Sequence, residues 1–486
     1  MRIVNKVGLL SCVLALGCCV GLSAAESTKA SSVKNRMLVL SDIEADPDDS
    51  QTLIRLLLYV NQIDLEGMVA TTSVHQKNMV APQTMHKIID AYAKVRDNLN
   101  KHEAGFPAAK ALHALVKQAL PVYGMSGVGE DKDSEGSDWL IKAIERKDER
   151  PLWITVWGGT NTLAQALFRL KQTKDPQKLA ELLNKLRVYS ISDQDDSGTW
   201  IRSTFPSLFY IVSPGGYGAA TWTGINTFID GLDNTTISNQ WIADNIQQGH
   251  GPLGAEYPDV AYGVEGDTPS WLNLISNGLN QPEHPEWGGW GGRYELRIPN
   301  LADMDPNGFN GGVPIKLESR AIWTNAVDNY MPPERGAYGR ALKPGTKSFV
   351  DYRATLYRWR DEFQNDFAAR MDWTTKSYNQ ANHAPIPVLN HSNHLKIKSG
   401  EYLHLDARSS YDPDGDSLQF YWFNYPEAGT LPNKLIKIET AENMNRAGLH
   451  VPKVTKSETL QIILKVTDRG IPALTRYQRV FVTVTP

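Results

Sequence analysis

Cysteine is nearly absent from this sequence. Only Cys12, Cys18 and Cys19 occur among 486 residues, and all three lie in the first 25. That segment combines a basic start, an apolar run too short for a comfortable membrane span and a final SAA, which is typical of a signal peptide. The rest of the chain therefore lacks disulfides, thiolate metal sites and cysteine catalysis. We expect a secreted or periplasmic protein that is attached to a membrane only if Cys18 is lipidated.

The sequence also lacks an excess of positive charge. Its formal net charge is −4 at pH 7, and because the leader carries two basic and no acidic residues, the remainder has a net charge of −6. Such a chain offers no electrostatic footprint for nucleic acid. The HExxH, GxSxG and phosphate-loop motifs are absent, and none of the eleven histidines has the spacing of a zinc site. These absences argue against zinc proteases, α/β-hydrolases and nucleoside triphosphatases.

Apolar patterns of strand and helix type alternate through the first half of the chain. The sequence predicts strands at 37–41, 65–73, 152–159 and 186–192, and helices at 50–60, 78–98, 107–119, 136–147 and 162–171. This alternation predicts an α/β fold with a mostly parallel sheet and helices on both faces. In such a sheet the ligand crevice lies beyond the carboxyl ends of the strands.

The pattern changes twice further along the chain. Residues 240–380 are less regular and rich in Trp, Gly and Pro. Beyond a predicted linker at 381–387, apolar and polar residues alternate, which predicts an antiparallel, immunoglobulin-like β-sandwich. We therefore expect a signal peptide at 1–25, an α/β domain at 26–380 and a β-sandwich domain at 388–486.

Five carboxylates follow the first predicted strand within eight residues: Asp42, Glu44, Asp46, Asp48 and Asp49. Carboxylates this close repel one another unless a cation lies among them. Calcium is a suitable cation because it takes six to eight oxygen ligands. The alternative is a group of solvated carboxylates at a helix N-terminus, where negative charge is favoured. The spacing alone leaves both interpretations open.

Two more polar segments follow predicted strands, at 158–161 (GGTN) and 192–200 (SDQDDSGTW). Strand ends of a parallel sheet meet at one edge, so these segments are expected near the carboxylates. Asp193, Asp195 and Asp196, together with Gln194, are candidates for sugar contacts, and one of the aspartates for the acid that protonates a leaving group. The alternative for this loop is an Asx-turn followed by a helix cap.

The segment PEHPEWGGWGGRYE (282–295) combines Trp287, Trp290 and Arg293 with several glycines. Flat apolar rings beside hydrogen-bond donors suit sugar rings, and a glycine-rich backbone lets a ligand come close. These three side chains are therefore candidate carbohydrate contacts. The alternative is a tightly packed loop with buried tryptophans.

A second acidic motif, DPDGD at 412–416, lies in the predicted sandwich and resembles a turn common in secreted β-sandwich modules. It is compatible with calcium binding. It is more typical of a hairpin turn held by local side-chain hydrogen bonds.

Two segments resemble the nucleoside hydrolases. The sequence DIEADPDD (42–49) is similar to their signature D-x-D-P-x-x-D-D, with Glu44 in place of the second aspartate, and GGTNTLAQAL (158–167) is similar to their G-P-L-T-N-L-A-x-A-L segment. Four longer stretches resemble the DUF1593 family: 42–73, 191–211, 263–295 and 365–373. That family has a nucleoside-hydrolase-like domain followed by a small β-sandwich, and some members are labelled cellulose-binding proteins.

The resemblance implies a calcium site and roles for particular residues. Glu44, Asp49 and Asp267 would be metal ligands, with Thr160 or Asn161 supplying a backbone carbonyl. Asp267 is explained equally well as a helix N-cap. Asp48 would bind sugar hydroxyls, and Glu44 or Asp42 would activate the attacking water. Ser73 and His75 stand where the family usually carries an asparagine after the second strand, so they are the candidate substrate contacts there.

The sequence thus predicts a secreted, calcium-dependent hydrolase of furanoside or N-ribosidic bonds, which acts by metal-assisted attack of water. Its partner would be a carbohydrate or a nucleoside. A non-catalytic carbohydrate (cellulose)-binding protein on a degenerate nucleoside-hydrolase fold is the alternative, so enzymatic activity stays open at this point.

Overall fold

The computed structural model describes residues 33–215, 217, 220–300, 313, 316–335, 342–343, 345–431, 436–440 and 445–486. The predicted signal peptide and all three cysteines lie outside these ranges. Within them, no helix has both the length and the apolar character needed to cross a membrane. Residues Lys34–Pro486 form one compact unit.

An eight-stranded sheet organises the first part of the chain, in the order β3-β2-β1-β4-β5-β6-β8-β7. All neighbouring pairs are parallel except β7 with β8. The predicted mostly parallel sheet is confirmed. Its strands are β1 (Asn35–Ser41), β2 (Ile63–Ala70), β3 (Val116–Gln118), β4 (Leu152–Val156), β5 (Leu186–Ser190), β6 (Phe209–Val212), β7 (Tyr294–Arg297) and β8 (Ile322–Asn325).

Strand β1 shows why helices cover both faces of this sheet. Met37 and Val39 belong to one apolar core, and Leu38 and Leu40 belong to another. Successive side chains of a strand point to opposite faces, so an uninterrupted apolar run requires cover on both sides.

The helices supply that cover: α1 (Asp48–Leu57), α2 (Pro82–His102), α3 (Ala109–Leu115), α4 (Glu135–Glu145), α5 (Asn161–Thr173), α6 (Pro176–Asn184), α7 (Ser197–Thr204), α8 (Asn239–Ile242), α9 (Gly251–Ala255), α10 (Pro269–Leu272), α11 (Ala354–Tyr357) and α12 (Arg360–Asp372). Helix α1 buries Leu53, Ile54 and Leu57 against the first core. Helices α4 and α5 contribute Leu140 and Leu167 to the second. The predicted helices at 50–60 and 162–171 agree with α1 and α5 to within a few residues.

The C-terminal part contains two further sheets, ordered β13-β19-β18-β15 and β14-β17-β16. Their strands are β13 (His394–Lys398), β14 (Tyr402–Asp406), β15 (Gln419–Asn424), β16 (Glu439–Thr440), β17 (Arg446–His450), β18 (Glu458–Thr467) and β19 (Thr475–Thr485). Leu405, Trp422, Ile462 and Val482 belong to their shared core, as expected of a β-sandwich. Short strands β9 (Asp328–Tyr330), β10 (Glu334–Arg335), β11 (Leu342–Lys343) and β12 (Phe349–Asp351) precede it.

The sandwich contacts the α/β part through buried polar bonds. The Tyr425 hydroxyl donates to Asp328 Oδ2 at 2.6 Å, and the Arg479 guanidinium donates to the carbonyls of Leu279, Trp287 and Gly288. Tyr477 of β19 is part of the first α/β core. The domain boundary at 381–387 stays a prediction.

Candidate active site

A cavity of about 620 Å³ opens beyond the carboxyl ends of β1, β4 and β5, where the polar segments were expected to meet. Its walls combine carboxylates, aromatic rings and amides: Asp42, Asp46, Asp48, Asp49, Asp267, His75, Gln194, Asn226, Trp157, Tyr217, Trp222 and Tyr262. No lysine or arginine is among the described residues that line it. The site is therefore strongly acidic.

Four of these carboxylates lie between β1 and the first turn of α1. One oxygen each of Asp46, Asp48 and Asp49 lies within 4.8 Å of the other two. The backbone N–H of Asp48 donates to Asp46 Oδ1 at 3.0 Å, and the Ser41 hydroxyl donates to Asp49 Oδ1 at 2.5 Å. Asp42 is buried beside them. These short bonds hold the carboxylates close together despite their like charges.

Glu44 does not belong to this group. A hydrogen bond from Ala45 N–H to the Asp42 carbonyl (2.9 Å) closes a turn in which Glu44 has a φ of 80°. Its exposed side chain accepts a hydrogen bond from the Thr84 hydroxyl of α2 instead of lining the cavity. This corrects the expectation that Glu44 is a metal ligand or the base, because the turn directs it away and places Asp46 in the cluster.

Among the described residues that line the cavity, no lysine or arginine compensates the charge of the cluster. Burial, reinforced by the neighbouring carboxylates, raises the pKa of Asp48, Asp49 and Asp267 well above the ordinary value. Burial also raises the pKa of Asp42 to about 7, although a hydrogen bond with Ser73 opposes the rise. Asp267 Oδ2 is buried and has no hydrogen-bond partner.

An oxygen-only donor set with this much charge fits a hard divalent cation. Asp46, Asp48, Asp49 and Asp267 are the side chains suited to hold it. The sequence predicts Asp267 but not Asp46 as a ligand, and the metal itself stays a prediction.

The segment 158–161 gives the Asp42 carboxylate room at the cavity. A Cβ atom on Gly158 would lie 2.5 Å from Asp42 Oδ1, so only glycine fits there. The Asn161 side chain accepts from Thr71 and donates to Thr72 and to the Val122 carbonyl. It does not line the cavity. The Asn161 side chain is therefore not available as a ligand, because its amide is engaged by these three partners, whereas the expected contribution of a backbone carbonyl from Thr160 or Asn161 stays a prediction.

The loop 192–200 is mainly structural. Asp193 makes a two-bond ion pair with buried Arg202 (2.8 and 2.7 Å). Asp195 accepts from Ser197 N–H at 2.9 Å, which is an Asx-turn, and Asp196 accepts from Met125 N–H at 2.8 Å.

None of these three aspartates lines the cavity, so the Asx-turn alternative is favoured over substrate contact, although no side-chain hydrogen bond from Asp196 caps α7. Of the four candidate residues in this loop, only Gln194 lines the cavity. Its Nε2 donates to the Trp157 carbonyl at 2.5 Å, and its buried Oε1 has no partner.

His75 is a wall residue, as expected, whereas Ser73 lies behind the wall. Ser73 is fully buried, and its hydroxyl oxygen accepts from the backbone N–H groups of His75 and Gln76. His75 Nε2 is 2.5 Å from the Tyr217 hydroxyl, and Tyr217 packs edge-on against Trp222 at 5.6 Å. Sequence reasoning missed Tyr217 as a site residue. Its position after the carboxyl end of β6 was the available signal.

The tryptophan-rich loop at 282–295 lies away from the cavity. Trp290 is completely buried and packs on Phe363 and Tyr477. Arg293 is buried in an ion pair with Asp328 at 2.7 Å. Trp287 stacks on His284 at a centroid distance of 3.6 Å. The expectation of sugar contacts is corrected for Trp290 and Arg293, which are buried, whereas half-buried Trp287, which also packs on Phe481, stays a candidate contact outside the cavity.

A mostly parallel sheet with an acidic crevice at its carboxyl edge, followed by a β-sandwich, defines a nucleoside-hydrolase-like α/β protein with an appended sandwich. Residues 36–294 match the family model described as the nucleoside hydrolase-like domain of cellulose-binding Sde182, and residues 402–484 match that of the C-terminal domain of cellulose-binding protein Sde0182. The chain belongs to this family. The resemblance found in the sequence is confirmed.

One solved structure is similar over nearly the whole chain. It is a nucleoside hydrolase-related hypothetical protein from Saccharophagus degradans that is associated with carbohydrate metabolism. The identity is 34% and the TM-score 0.75, over 93% of this chain and 100% of that one. An effector protein is similar at 12% identity and a TM-score of 0.28, over 56% of this chain and 87% of that one, which is too little to bear on fold or function. No curated protein matches the chain.

Proposed function

We propose that this protein is a secreted, calcium-dependent hydrolase of glycosidic bonds, of the furanoside or N-ribosidic type. The observation that carries the proposal is the convergence of Asp42, Asp46, Asp48, Asp49 and Asp267 on one cavity whose described lining contains no lysine or arginine. A binding protein needs only an exposed aromatic surface, whereas water-dependent cleavage of a sugar bond needs carboxylates held together in a recess. The geometry therefore favours the hydrolase.

The carboxylates have different tasks in this proposal. Asp46, Asp48, Asp49 and Asp267 hold calcium, and their remaining oxygens accept hydrogen bonds from sugar hydroxyls. When bound, calcium supplies the positive charge that orders those hydroxyls and makes a water molecule more acidic. Asp42 faces the cavity without being part of the close group of three. It is the residue proposed to accept the proton from the attacking water.

Other residues that line the cavity suit the rest of a sugar substrate. Trp222 and Tyr217 contribute aromatic rings, His75 Nε2 lies 2.5 Å from the Tyr217 hydroxyl, and Gln194 contributes an amide. Such a combination binds the apolar face of a ring while fixing its orientation. A volume of about 620 Å³ is large enough for a small glycoside.

Carbohydrate binding without catalysis is the second candidate. It is favoured by the family descriptions, both of which name cellulose binding. In this case the same cavity would hold a sugar, and no bond would be broken.

A substrate screen separates the two candidates. Nitrophenyl furanosides and nucleosides are incubated with the purified chain, with calcium or with a chelator. We expect turnover that the chelator abolishes and that Asp49→Asn lowers by at least about 100-fold, because a charged ligand is lost. The control Asp97→Asn, on an exposed side chain, retains full turnover. Turnover that survives both the chelator and Asp49→Asn would disprove the proposal.

The binding candidate has its own test. Wild type and Asp49→Asn are mixed with insoluble cellulose and with oligosaccharides. Retention of wild type, combined with no turnover of any substrate in the screen, would favour the binding protein.

A further inference from the structure

A second group of oxygen atoms without partners lies in the sandwich, beside the predicted linker. Asp412 Oδ2, Asp468 Oδ2 and Asn382 Oδ1 are all buried and accept no hydrogen bond. Asp468 and Asn382 are only 2% and 6% exposed. Buried acceptors that lack donors are costly, so three in one region call for a physical reason.

In each of these side chains, the other polar atom makes hydrogen bonds while the named oxygen makes none. Asp468 Oδ1 accepts from Asn382 Nδ2, Gly470 N–H and Leu474 N–H (3.1, 3.0 and 2.9 Å). Asp412 Oδ1 accepts from Asp414 N–H and Asp416 N–H (2.8 and 3.1 Å). Hydrogen bonds to Oδ1 thus hold both carboxylates in place, and Oδ2 of each is left without a hydrogen-bond partner.

The orientation of Asn382 is fixed by its neighbours. Its Nδ2 donates to Asp468 Oδ1 and to the Pro472 carbonyl at 2.8 Å, and both of these atoms are acceptors only. A flipped amide would place oxygen against oxygen. A Cβ atom on residue 470 would lie 2.3 Å from Asn382 Oδ1, so Gly470 is needed for this arrangement.

The chain brings the two acidic segments to the same place. His383, next to Asn382, donates its backbone N–H to Asp414 Oδ2 at 2.7 Å and thereby holds the 412–416 turn against the linker. Burial, together with the charge of Asp412, raises the pKa of Asp468 to about 6. In the part of the chain that the structure describes, no lysine or arginine makes an ion pair with Asp412 or Asp468.

We propose that Asn382, Asp412 and Asp468 form a structural calcium site, separate from the cavity, that joins the linker to the sandwich. Two carboxylates and an amide carbonyl are hard oxygen ligands, and their charge balances one divalent cation. Calcium is favoured over magnesium because it accepts irregular arrangements of six to eight oxygens, whereas magnesium needs near-octahedral geometry and keeps its waters. Backbone carbonyls and water would supply the remaining ligands.

Calcium stoichiometry tests this inference on the full chain. After treatment with a chelator, each variant is dialysed against calcium chloride and bound calcium is counted. We expect Asp468→Asn and Asp412→Asn each to bind one calcium fewer than wild type. The control Asp406→Asn, on a carboxylate of the same sandwich that pairs with Arg408, binds as much as wild type. Equal stoichiometry in wild type, Asp412→Asn and Asp468→Asn would overturn the site, as would equal binding of magnesium.

Calcium stoichiometry distinguishes an absent cavity site from an absent sandwich site. If only the cavity lacks calcium, wild type binds one ion, Asp49→Asn also binds one and Asp468→Asn binds none. If calcium binds in the cavity but not in the sandwich, Asp49→Asn binds no calcium and Asp468→Asn binds as many ions as wild type.

Thermal unfolding gives a readout that does not depend on activity. In the Asp49→Asn background, saturating calcium should raise Tm by at least about 2 °C, because the ion binds only the native state. Adding Asp468→Asn should remove this rise. In chelator, Asp468→Asn should be no less stable than its parent, since it removes a buried charge without a partner. A calcium-dependent rise that persists in the double variant would contradict the site.

Discussion

The backbone N–H of Asp48 donates to Asp46 Oδ1 at 3.0 Å, across the start of α1. This bond turns the Asp46 carboxylate toward Asp48 and Asp49, whereas Glu44, two residues earlier and at a φ of 80°, points to Thr84. The turn therefore decides which carboxylates face the cavity. The spacing of the signature alone does not.

A pair of isosteric substitutions tests this assignment. Asp46→Asn should lower the affinity of the cavity for calcium by at least about 10-fold, because even residues that only support metal ligands cost that much when changed. Glu44→Gln should leave the affinity unchanged, since its side chain lies outside the cavity. Isothermal titration in the Asp468→Asn background measures the cavity alone. Loss of affinity in Glu44→Gln but not in Asp46→Asn would reverse the assignment.

Gly158 is expected to control the position of Asp42. In Gly158→Ala the new Cβ would lie 2.5 Å from Asp42 Oδ1, so the carboxylate must move. We expect a loss of about 1–3 kcal/mol in unfolding free energy, together with a marked fall in kcat of the folded protein.

Gly159→Ala is the matched control. Its Cβ would lie 2.4 Å from Asp195 Oδ2, which is outside the cavity, so it should lower stability with a much smaller effect on kcat. Equal kcat values in the two variants would contradict a role for Asp42 in catalysis.

The junction with the sandwich depends on Asp328. This fully buried carboxylate accepts from Arg293, Arg358 and the Tyr425 hydroxyl at 2.7, 2.8 and 2.6 Å. Asp328→Asn leaves two buried guanidinium groups without their counter-charge and should cost about 3–5 kcal/mol in unfolding free energy. Tyr425→Phe removes one hydrogen bond and should cost about 1–3 kcal/mol. Urea unfolding at neutral pH measures both. Equal costs would show that the charge of Asp328 is not what matters.

The same carboxylate predicts a pH dependence. Burial by itself would raise the pKa of Asp328, but the charges of Arg293 and Arg358 outweigh it and hold the pKa below its ordinary value. A depressed native pKa gives stability that is fully present above the unfolded pKa of about 3.9 and is lost as pH falls through the native pKa. Unfolding free energy should therefore fall on acidification below about pH 4, and less steeply in Asp328→Asn. Parallel slopes in the two proteins would contradict this.

Much of the α/β half was predictable from the sequence because its signals are local. The apolar run of β1 and the apolar positions 53, 54 and 57 of α1 indicate strand and helix without reference to any partner. The expected edge of the sheet followed from strand direction alone, and the cavity lies there. The alternation of apolar and polar residues beyond the predicted linker likewise predicted the sandwich.

The roles of individual polar residues were not predictable in this way. Asp193 and Asp195 lie in a loop with the composition of a binding site, yet their carboxylate oxygens accept hydrogen bonds from Arg202 and Ser197. Trp290 and Arg293 have the composition of a sugar platform, yet Phe363, Tyr477 and Asp328 cover them. Phe363, Tyr477 and Asp328 lie far along the chain from the tryptophan-rich loop, so spacing carries no trace of these contacts. Ser197 and Arg202 are local partners, and the Asx-turn was the alternative that the sequence left open.

The sequence by itself determined the class of fold, the acidic strand end and the family, because periodicity and local motifs are properties of neighbouring residues. Only the tertiary structure decided that Asp46 and not Glu44 faces the cavity, that His75 meets Tyr217 there, and that Asn382 and Asp468 leave oxygens without partners. A backbone torsion and contacts between distant segments set these outcomes, and neither is encoded in spacing along the chain.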